Sequence, residues 1–144
     1  GWAAAGYVTT ANTGSVPTVP AEPCSNPGVP PPNYYACILK GQSPLDYSAL
    51  APGAAFDMTW TVTNTGSTPW TKNVGNFVQA GQTGKLHTGA DSVGPLADDI
   101  QYGKSLTLTV PAVAPSNSGT YGELWEVNAN GTVVCQFWMI IQVP

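Results

Sequence analysis

The sequence has very few charged side chains, and this shortage excludes several classes of partner. Only 8% of its 144 residues are charged, against roughly 25% in an average soluble domain. Four lysines, scattered along the chain, oppose eight acidic residues and give a net charge of −4. A nucleic-acid interface needs a clustered basic face, which four scattered lysines do not form. The same shortage argues against an anionic membrane surface as a partner.

Long apolar runs and helical periodicity are also missing. The longest apolar run, Phe137 to Ile141, is far shorter than the roughly 18 residues needed to cross a bilayer, so we expect no membrane span. Fourteen prolines and sixteen glycines favour strands and turns over helices. The chain begins at Gly1 without an initiator methionine or a signal peptide. We therefore expect a processed product. The low charge and the few lysines fit a secreted protein better than a cytosolic one, so we expect the protein to be extracellular, either secreted or held at the cell surface.

The first 36 residues differ in composition from the rest of the chain. They are rich in proline and small residues, and such a stretch does not bury enough surface to fold alone. We therefore divide the chain into an extended arm, residues 1–36, and a folded domain, residues 37–144. The start of the arm alternates like a strand, a pattern that can add to the free edge of a neighbouring sheet. The residues of this candidate donor strand are Trp2, Ala4, Gly6, Tyr7, Val8 and Thr10.

From Cys37 onward, strand signals recur with turn signals between them. Apolar residues alternate with polar ones from Phe56 to Val62, and again from Leu106 to Val110. Two longer alternating segments flank a turn at residues 128–131 and predict a hairpin. The pattern predicts an all-β fold, an antiparallel β-sandwich. Tyr121 follows Gly119-Thr120 and is a candidate tyrosine corner, whose hydroxyl ties back to the chain.

Several of these segments together resemble one known family. The spacing Trp60-x-x-x-Asn64-x-Gly66-x-x-x-Trp70 is followed by Gly119-Thr120-Tyr121-x-x-x-Trp125 and by Phe137-Trp138. In this order they are similar to the four-tryptophan (FW), or NBR1-type, immunoglobulin-like domain, over roughly residues 45–144. The four tryptophans would be Trp60, Trp70, Trp125 and Trp138. The resemblance implies an immunoglobulin-like sandwich that is not an enzyme, of a kind found in secreted and surface proteins of bacteria.

The three cysteines predict a disulfide rather than a metal site. Cys24, Cys37 and Cys135 lack the spacing of metal ligands, and the sequence has one histidine. We therefore expect no cofactor, and instead one disulfide and one leftover thiol. In an immunoglobulin-like sandwich the first strand often pairs with the last, which favours Cys37–Cys135. Cys24–Cys37, closing a short proline-rich loop, remains open as the alternative.

The remaining chemistry-bearing residues indicate binding rather than catalysis. His87 is interpreted as a solvated loop residue, and the carboxylates as turn or solvent-facing residues, so no catalytic pair is predicted. The carboxylates considered are Asp91, Asp98, Asp99, Glu123 and Glu126. Trp138 lies on the side of the last strand opposite the core and is a candidate partner contact. Trp2, with no local core to join, is a candidate anchor on another surface.

Two functions are consistent with these features. The first is an extracellular structural protein, the subunit of a self-assembling surface filament or pilus-like fibre, whose arm adds a strand to a neighbouring copy. Its partners are then other copies of the same chain. The alternative is a glycan- or protein-binding module of a larger secreted or cell-surface protein. The mass of the protein in solution separates the two, because a binding module stays monomeric.

Overall fold

The computed structural model describes residues 34–73, 75–129 and 131–144, and within these ranges the chain forms eight β-strands and no helix. The expected donor strand of the arm, from Trp2 to Thr10, lies outside the described residues, as does Cys24. In the described part, no helix is long and apolar enough to cross a membrane. The strands are β1 (Cys37–Ser43), β2 (Ser48–Ala49), β3 (Ala55–Asn64), β4 (Gly75–Gln82), β5 (Ser92–Val93), β6 (Ser105–Val113), β7 (Gly119–Ala129) and β8 (Thr132–Val143).

The strands form two sheets that pack face to face. One sheet has three strands in the order β1-β3-β6, and the other has five in the order β2-β8-β7-β4-β5. Neighbours pair antiparallel except β2, which runs parallel to β8. β7 and β8 form the expected hairpin, paired from Gly119–Val143 to Ala129–Thr132. The predicted all-β, immunoglobulin-like sandwich is confirmed.

The inner faces of the two sheets meet around three aromatic side chains. The rings of Trp60 and Phe137 are 5.1 Å apart, and those of Trp60 and Trp125 are 6.4 Å apart. All three are buried, as their alternation along the strands leads one to expect, since alternate side chains share one face of a strand. Trp60 Nε1 also donates to the carbonyl of Trp138 at 3.1 Å. This hydrogen bond joins β3 of one sheet to the backbone of β8 in the other.

Hydroxyl groups cover the outer face of the three-stranded sheet. Side chains of β3 and β6 that point away from the core pair across the strands, and such cross-strand pairs stabilise a sheet. The oxygen–oxygen distances are 3.4 Å for Thr59–Thr109, 3.0 Å for Thr61–Thr107 and 2.7 Å for Thr63–Ser105. Neutral hydroxyl groups therefore take the place of charged side chains along β3 and β6 on this face.

A disulfide and a tyrosine corner fasten segments of the sandwich to one another. A disulfide joins Cys37 of β1 to Cys135 of β8, 98 positions apart in sequence, so it links the two sheets. This is the pairing favoured from the strand order rather than Cys24–Cys37. Tyr121 also ties back as predicted, because its hydroxyl donates to the carbonyl of Asn117 at 3.0 Å.

The segment that leads into β1 is held by the turn after β3. The carbonyl of Ala36 accepts hydrogen bonds from the N–H groups of Thr65 and Gly66 at 3.0 and 3.2 Å. The carbonyl of Tyr34 accepts from Thr68 N–H at 3.1 Å. A side chain at Gly66 would overlap the backbone of residues 34–36. The close approach of these two segments therefore requires glycine in the turn.

Candidate functional site

A groove lined by two exposed aromatic side chains lies on the outer face of the five-stranded sheet. Trp138 is 42% exposed and Tyr47 is 58% exposed, although large aromatic side chains gain most from burial. The groove has a volume of about 320 Å³, at the small end of the range for ligand pockets, roughly 300–1,000 Å³. Its lining residues, called the aromatic groove below, are Tyr47, Thr83, Thr120, Gly122, Trp138 and Ile140.

Trp138 reaches the groove because of the alternation of β8. Phe137, Met139 and Ile141 point into the core and are buried, which turns Trp138 and Ile140 outward. Trp138 was predicted to lie on this outer side, and it is exposed there. Of the four family tryptophans, Trp60, Trp70 and Trp125 are fully buried. Trp138 is thus the one among the four that a partner can reach.

The floor of the groove depends on a residue without a side chain. Gly122 of β7 pairs with Ile140 of β8. A Cβ atom at Gly122 would lie 3.2 Å from the carbonyl oxygen of Met139 and 3.3 Å from Ile140 Cγ1. Because both distances are tighter than ordinary contacts, glycine leaves room above the sheet at this point. The floor of the groove at this position is therefore backbone.

Tyr47 is held at the groove by bonds from its own segment to β8. Its N–H donates to the carbonyl of Ile140 at 2.7 Å. Asp46 Oδ1 accepts from the N–H of Ile140 at 3.1 Å and from Gln42 Nε2 at 2.7 Å. Tyr47 itself has φ of +65°, the left-handed region, which is a genuine outlier for a bulky side chain. The surrounding hydrogen bonds hold the backbone in this conformation, which places the Tyr47 side chain at the groove beside β8.

The lining of the aromatic groove carries no charge. Its polar groups are the hydroxyls of Tyr47, Thr83 and Thr120. Thr83 Oγ1 accepts from the N–H of Gly122 at 2.9 Å, which fixes its position and leaves its hydrogen free to donate. The groove therefore offers apolar faces edged by neutral hydroxyl groups.

On the other side of β7, a buried carboxylate fastens a loop to the sheet. Glu123 is fully buried, and His87 is 3% exposed. Glu123 Oε1 accepts from the N–H groups of Leu86 and His87 at 2.5 and 3.2 Å, and Oε2 accepts from Trp125 Nε1 at 3.0 Å. His87 Nδ1 lies 2.9 and 3.0 Å from the two carboxylate oxygens. We call this group the Glu123 cluster.

The predicted solvent exposure of Glu123 and His87 was wrong. Glu123 shares the inward face of β7 with Trp125, and the segment that contains Leu86 and His87 covers it there, so the carboxylate is buried. It stays there because backbone and side-chain donors satisfy it, the condition on which buried charges persist. His87 is buried because both ring nitrogens meet carboxylates: Glu123 on one side and Asp91 Oδ1, at 2.7 Å, on the other.

The Glu123 cluster is arranged for structure rather than for chemistry. A general base needs a free nitrogen within reach of a substrate, whereas both nitrogens of His87 are engaged and its side chain is 1% exposed. Within residues 34–73, 75–129 and 131–144, no group of three or more His, Cys, Asp or Glu side chains is arranged to hold a metal ion. What the cluster does is hold residues 86–91 against β7.

β1 is an edge strand of the three-stranded sheet with apolar side chains in solvent. In the described part of the chain it pairs with β3 alone. Ile38 and Leu39 are both exposed, and an edge of this kind is a template for another strand. The predicted donor strand, Trp2 to Thr10, lies outside the described residues, and its pairing with an edge of this kind stays a prediction.

The fold and the motif residues define the class of this protein as an immunoglobulin-like β-sandwich domain. The family model described as the Ig-like domain from next to BRCA1 gene matches residues 44–143. The chain belongs to this family, whose members are generally non-catalytic. The resemblance inferred from the tryptophans is thereby confirmed. No curated protein matches the sequence.

Two solved structures are similar to this chain at low sequence identity. Part of E. coli alpha-2-macroglobulin is similar with a TM-score of 0.53 and 19% identity, over 75% of this chain. The match covers 6% of the macroglobulin chain. The CARDB domain of a Pyrococcus furiosus protein matches with a TM-score of 0.42 and 17% identity, over 75% of this chain and 92% of that domain. At this identity the macroglobulin match speaks for the fold alone.

Proposed function

We propose that this domain is a non-catalytic, extracellular binding module whose ligand occupies the aromatic groove. The observation that carries the proposal is Tyr47, a bulky residue in the left-handed region beside an exposed tryptophan. Such backbone strain costs on the order of 1–3 kcal/mol and concentrates at binding and active sites. The hydrogen bonds of Asp46 and Tyr47 to Ile140 maintain it. No other described non-glycine residue has positive φ.

The groove has the features that make a small site bind well. Tryptophan and tyrosine are the residue types that most often dominate binding energy when they are truncated. The backbone of Tyr47 is already held by hydrogen bonds to β8, so binding loses little backbone entropy there. The core residues beneath β8 are buried and packed, which gives the groove a rigid base. A ligand that fits the lining therefore meets a preformed site.

An extracellular setting is supported by the disulfide and by the surface composition. Structural disulfides persist in oxidising compartments and are rare in the cytosol, and Cys37–Cys135 joins the two sheets. The low content of charged residues, 8% with a net charge of −4, also fits a secreted domain. The bound partner is accordingly expected outside the cell.

The test is binding of the full chain to the surface material of the producing organism. Trp138→Ala and Tyr47→Ala should each weaken cosedimentation with that material by at least about tenfold, since truncating a central aromatic contact commonly costs 2 kcal/mol or more, roughly 30-fold. Tyr102→Ala is the matched control, because Tyr102 is an exposed aromatic residue in the turn before β6 of the other sheet. Undiminished binding by both groove variants would refute the proposed site.

A second candidate function is assembly into a filament through the arm. The free edge of β1, with Ile38 and Leu39 in solvent, is the observation that favours it. In this hypothesis residues 2–13 of one copy pair with β1 of the next, and a head-to-tail contact that does not close gives a fibre. Donor and acceptor lie on one chain, so each copy both gives and receives a strand.

Light scattering and negative-stain imaging of the same sample test this second function. Fibres or very large particles that disappear when residues 1–13 are deleted would support assembly through the arm. Trp138→Ala is the control, because the groove lies on the other sheet and its loss should leave the particles unchanged. A monomer of about 15 kDa, the mass of one chain, would exclude the filament while leaving the binding module intact.

A further inference from the structure

We infer that the ligand of the aromatic groove is an uncharged sugar. One of its rings stacks on Trp138, and Tyr47 forms the second wall of the groove. This inference rests on the proposed binding function and names the chemistry of its ligand. It follows from the charge, the hydroxyl groups and the size of the groove, taken in turn.

Charge is the first constraint on the ligand. None of the six lining residues is an acidic or a basic residue. Asp46 is adjacent, but its Oδ1 already accepts two hydrogen bonds that position the loop. A phosphate, a sugar acid or an acidic peptide would lose its hydration without gaining a cationic partner here. The lining therefore complements a neutral ligand.

The distribution of polar groups is the second constraint. A sugar ring presents C–H groups on its face and hydroxyl groups around its rim. Trp138 and Tyr47 supply aromatic faces for the former, since the negative face of a ring attracts polarised C–H groups. Thr83, Thr120 and the phenol of Tyr47 supply hydroxyls that both donate and accept. A purely apolar ligand would leave these hydroxyls unpaired, whereas a sugar satisfies both kinds of lining.

Size is the third constraint. A volume of about 320 Å³ suits a compact ligand rather than a whole protein surface. A stable protein–protein interface buries roughly 800 Å² on each partner. Among the six lining residues the exposed apolar side chains are Tyr47 and Trp138, with Ile140 half-buried, and the neighbouring outer positions of β8 are glutamines, Gln136 and Gln142. The lining therefore suits a compact ligand better than the centre of a large interface.

Selective destruction of the surface material distinguishes a sugar from a protein. The full chain is cosedimented with material treated with periodate, which cleaves the vicinal diols of sugars, or with proteinase K. We expect periodate to abolish the Trp138-dependent binding and the protease to leave it. Loss of binding after protease alone would make the partner a protein: the binding function would stand and the sugar inference would fall. Binding that does not depend on Trp138 would refute both.

Tryptophan fluorescence then tests for a neutral sugar at this site. Trp60, Trp70 and Trp125 are fully buried, so Trp138 should dominate any signal that a ligand causes among them. The probe is the glycan released from the surface material and separated by anion exchange into neutral and acidic fractions. The neutral fraction should shift the emission of the wild type, and Trp138→Phe should lose the shift while keeping most of the affinity measured by calorimetry.

Trp138→Ala should reduce that affinity at least tenfold, and Tyr47→Phe should reduce it less than Tyr47→Ala. Tyr102→Ala is again the control. Binding of the acidic fraction alone would overturn the inference that the ligand is uncharged. Binding that appears only after residues 1–33 are removed would mean that the arm of this chain occupies the groove, and would overturn the inference as well.

Discussion

Replacing Glu123 by glutamine tests whether the Glu123 cluster holds the sandwich together. The change keeps the size of the side chain and therefore opens no cavity. The carboxylate serves four donors: the N–H groups of Leu86 and His87, His87 Nδ1 and Trp125 Nε1. An amide has one accepting oxygen, which we expect to take the Oε1 position, where the two backbone donors meet. Its NH₂ group then faces the indole N–H of Trp125.

The magnitude follows from that mismatch. A buried donor left without an acceptor costs about 1–3 kcal/mol. The hydrogen bonds that remain lose their charge assistance, and charge-assisted bonds are about twice as strong as neutral ones. From the two effects together, we expect Glu123→Gln to lower the free energy of unfolding by about 2–4 kcal/mol, out of the roughly 5–15 kcal/mol typical of a domain. With an m-value of about 2 kcal/mol per molar urea, the midpoint falls by roughly 1–2 M.

The assay is urea unfolding followed by tryptophan fluorescence with the disulfide intact. Glu126→Gln is the control, because it is the same substitution on the outward side of β7. There Glu126 accepts an exposed hydrogen bond from Gln136 Nε2 at 3.1 Å. That variant should stay within about 0.5 kcal/mol of the wild type. Hydrogen exchange of the Leu86 and His87 amides should also accelerate in Glu123→Gln. Equal midpoints for the two variants would refute the reasoning.

Two further changes test the disulfide and the close approach of the backbone at Gly66. Replacing Cys37 and Cys135 together by serine should lower stability by about 2–5 kcal/mol, measured as the shift of the urea midpoint from the oxidised wild type; an unchanged midpoint would show that the bond contributes nothing. Gly66→Ala should cost about 1–3 kcal/mol, because the new methyl group overlaps the carbonyl of Tyr34. Gly41→Ala, with no atom within 4 Å of the new Cβ, should change stability by less than about 0.5 kcal/mol, and equal losses in the two glycine variants would contradict the close-approach argument.

The parts of the fold that sequence reasoning predicted are those governed by local alternation. β3, β6 and the β7–β8 hairpin bury one face each, so period-two patterns reveal them. β2 and β5 have two residues each, and they exist only because a neighbouring strand offers a partner. Residues 72–104 were harder to read: Phe77-Val78-Gln79 has the character of a strand and lies in β4, whereas the stretch that follows is rich in glycine and resembles a loop.

One of the two aromatic residues of the candidate site was predicted from the sequence. The alternation of β8 placed Trp138 on the outer face, but nothing local marks Tyr47 as its neighbour. The bond that brings them together, from Ile140 N–H to Asp46, spans 94 positions. The burial of Glu123 was missed similarly, because its backbone donors are 36 and 37 positions away. Residue type alone predicts that a carboxylate is exposed, and its burial can be predicted only when the distant donors that satisfy it are known.

The bond between Cys37 and Cys135 also decides how the domain would respond to a pulling force. Tension applied at Tyr34 and Pro144 passes from Cys37 across the sulfur atoms to Cys135 and on along β8, so the 98-position span between the cysteines carries no load. With the bond intact, unravelling beyond Cys135 releases nine residues, roughly 30 Å at about 3.4 Å each. Without it the enclosed span adds on the order of 330 Å. The oxidised sandwich is therefore a short, nearly inextensible link.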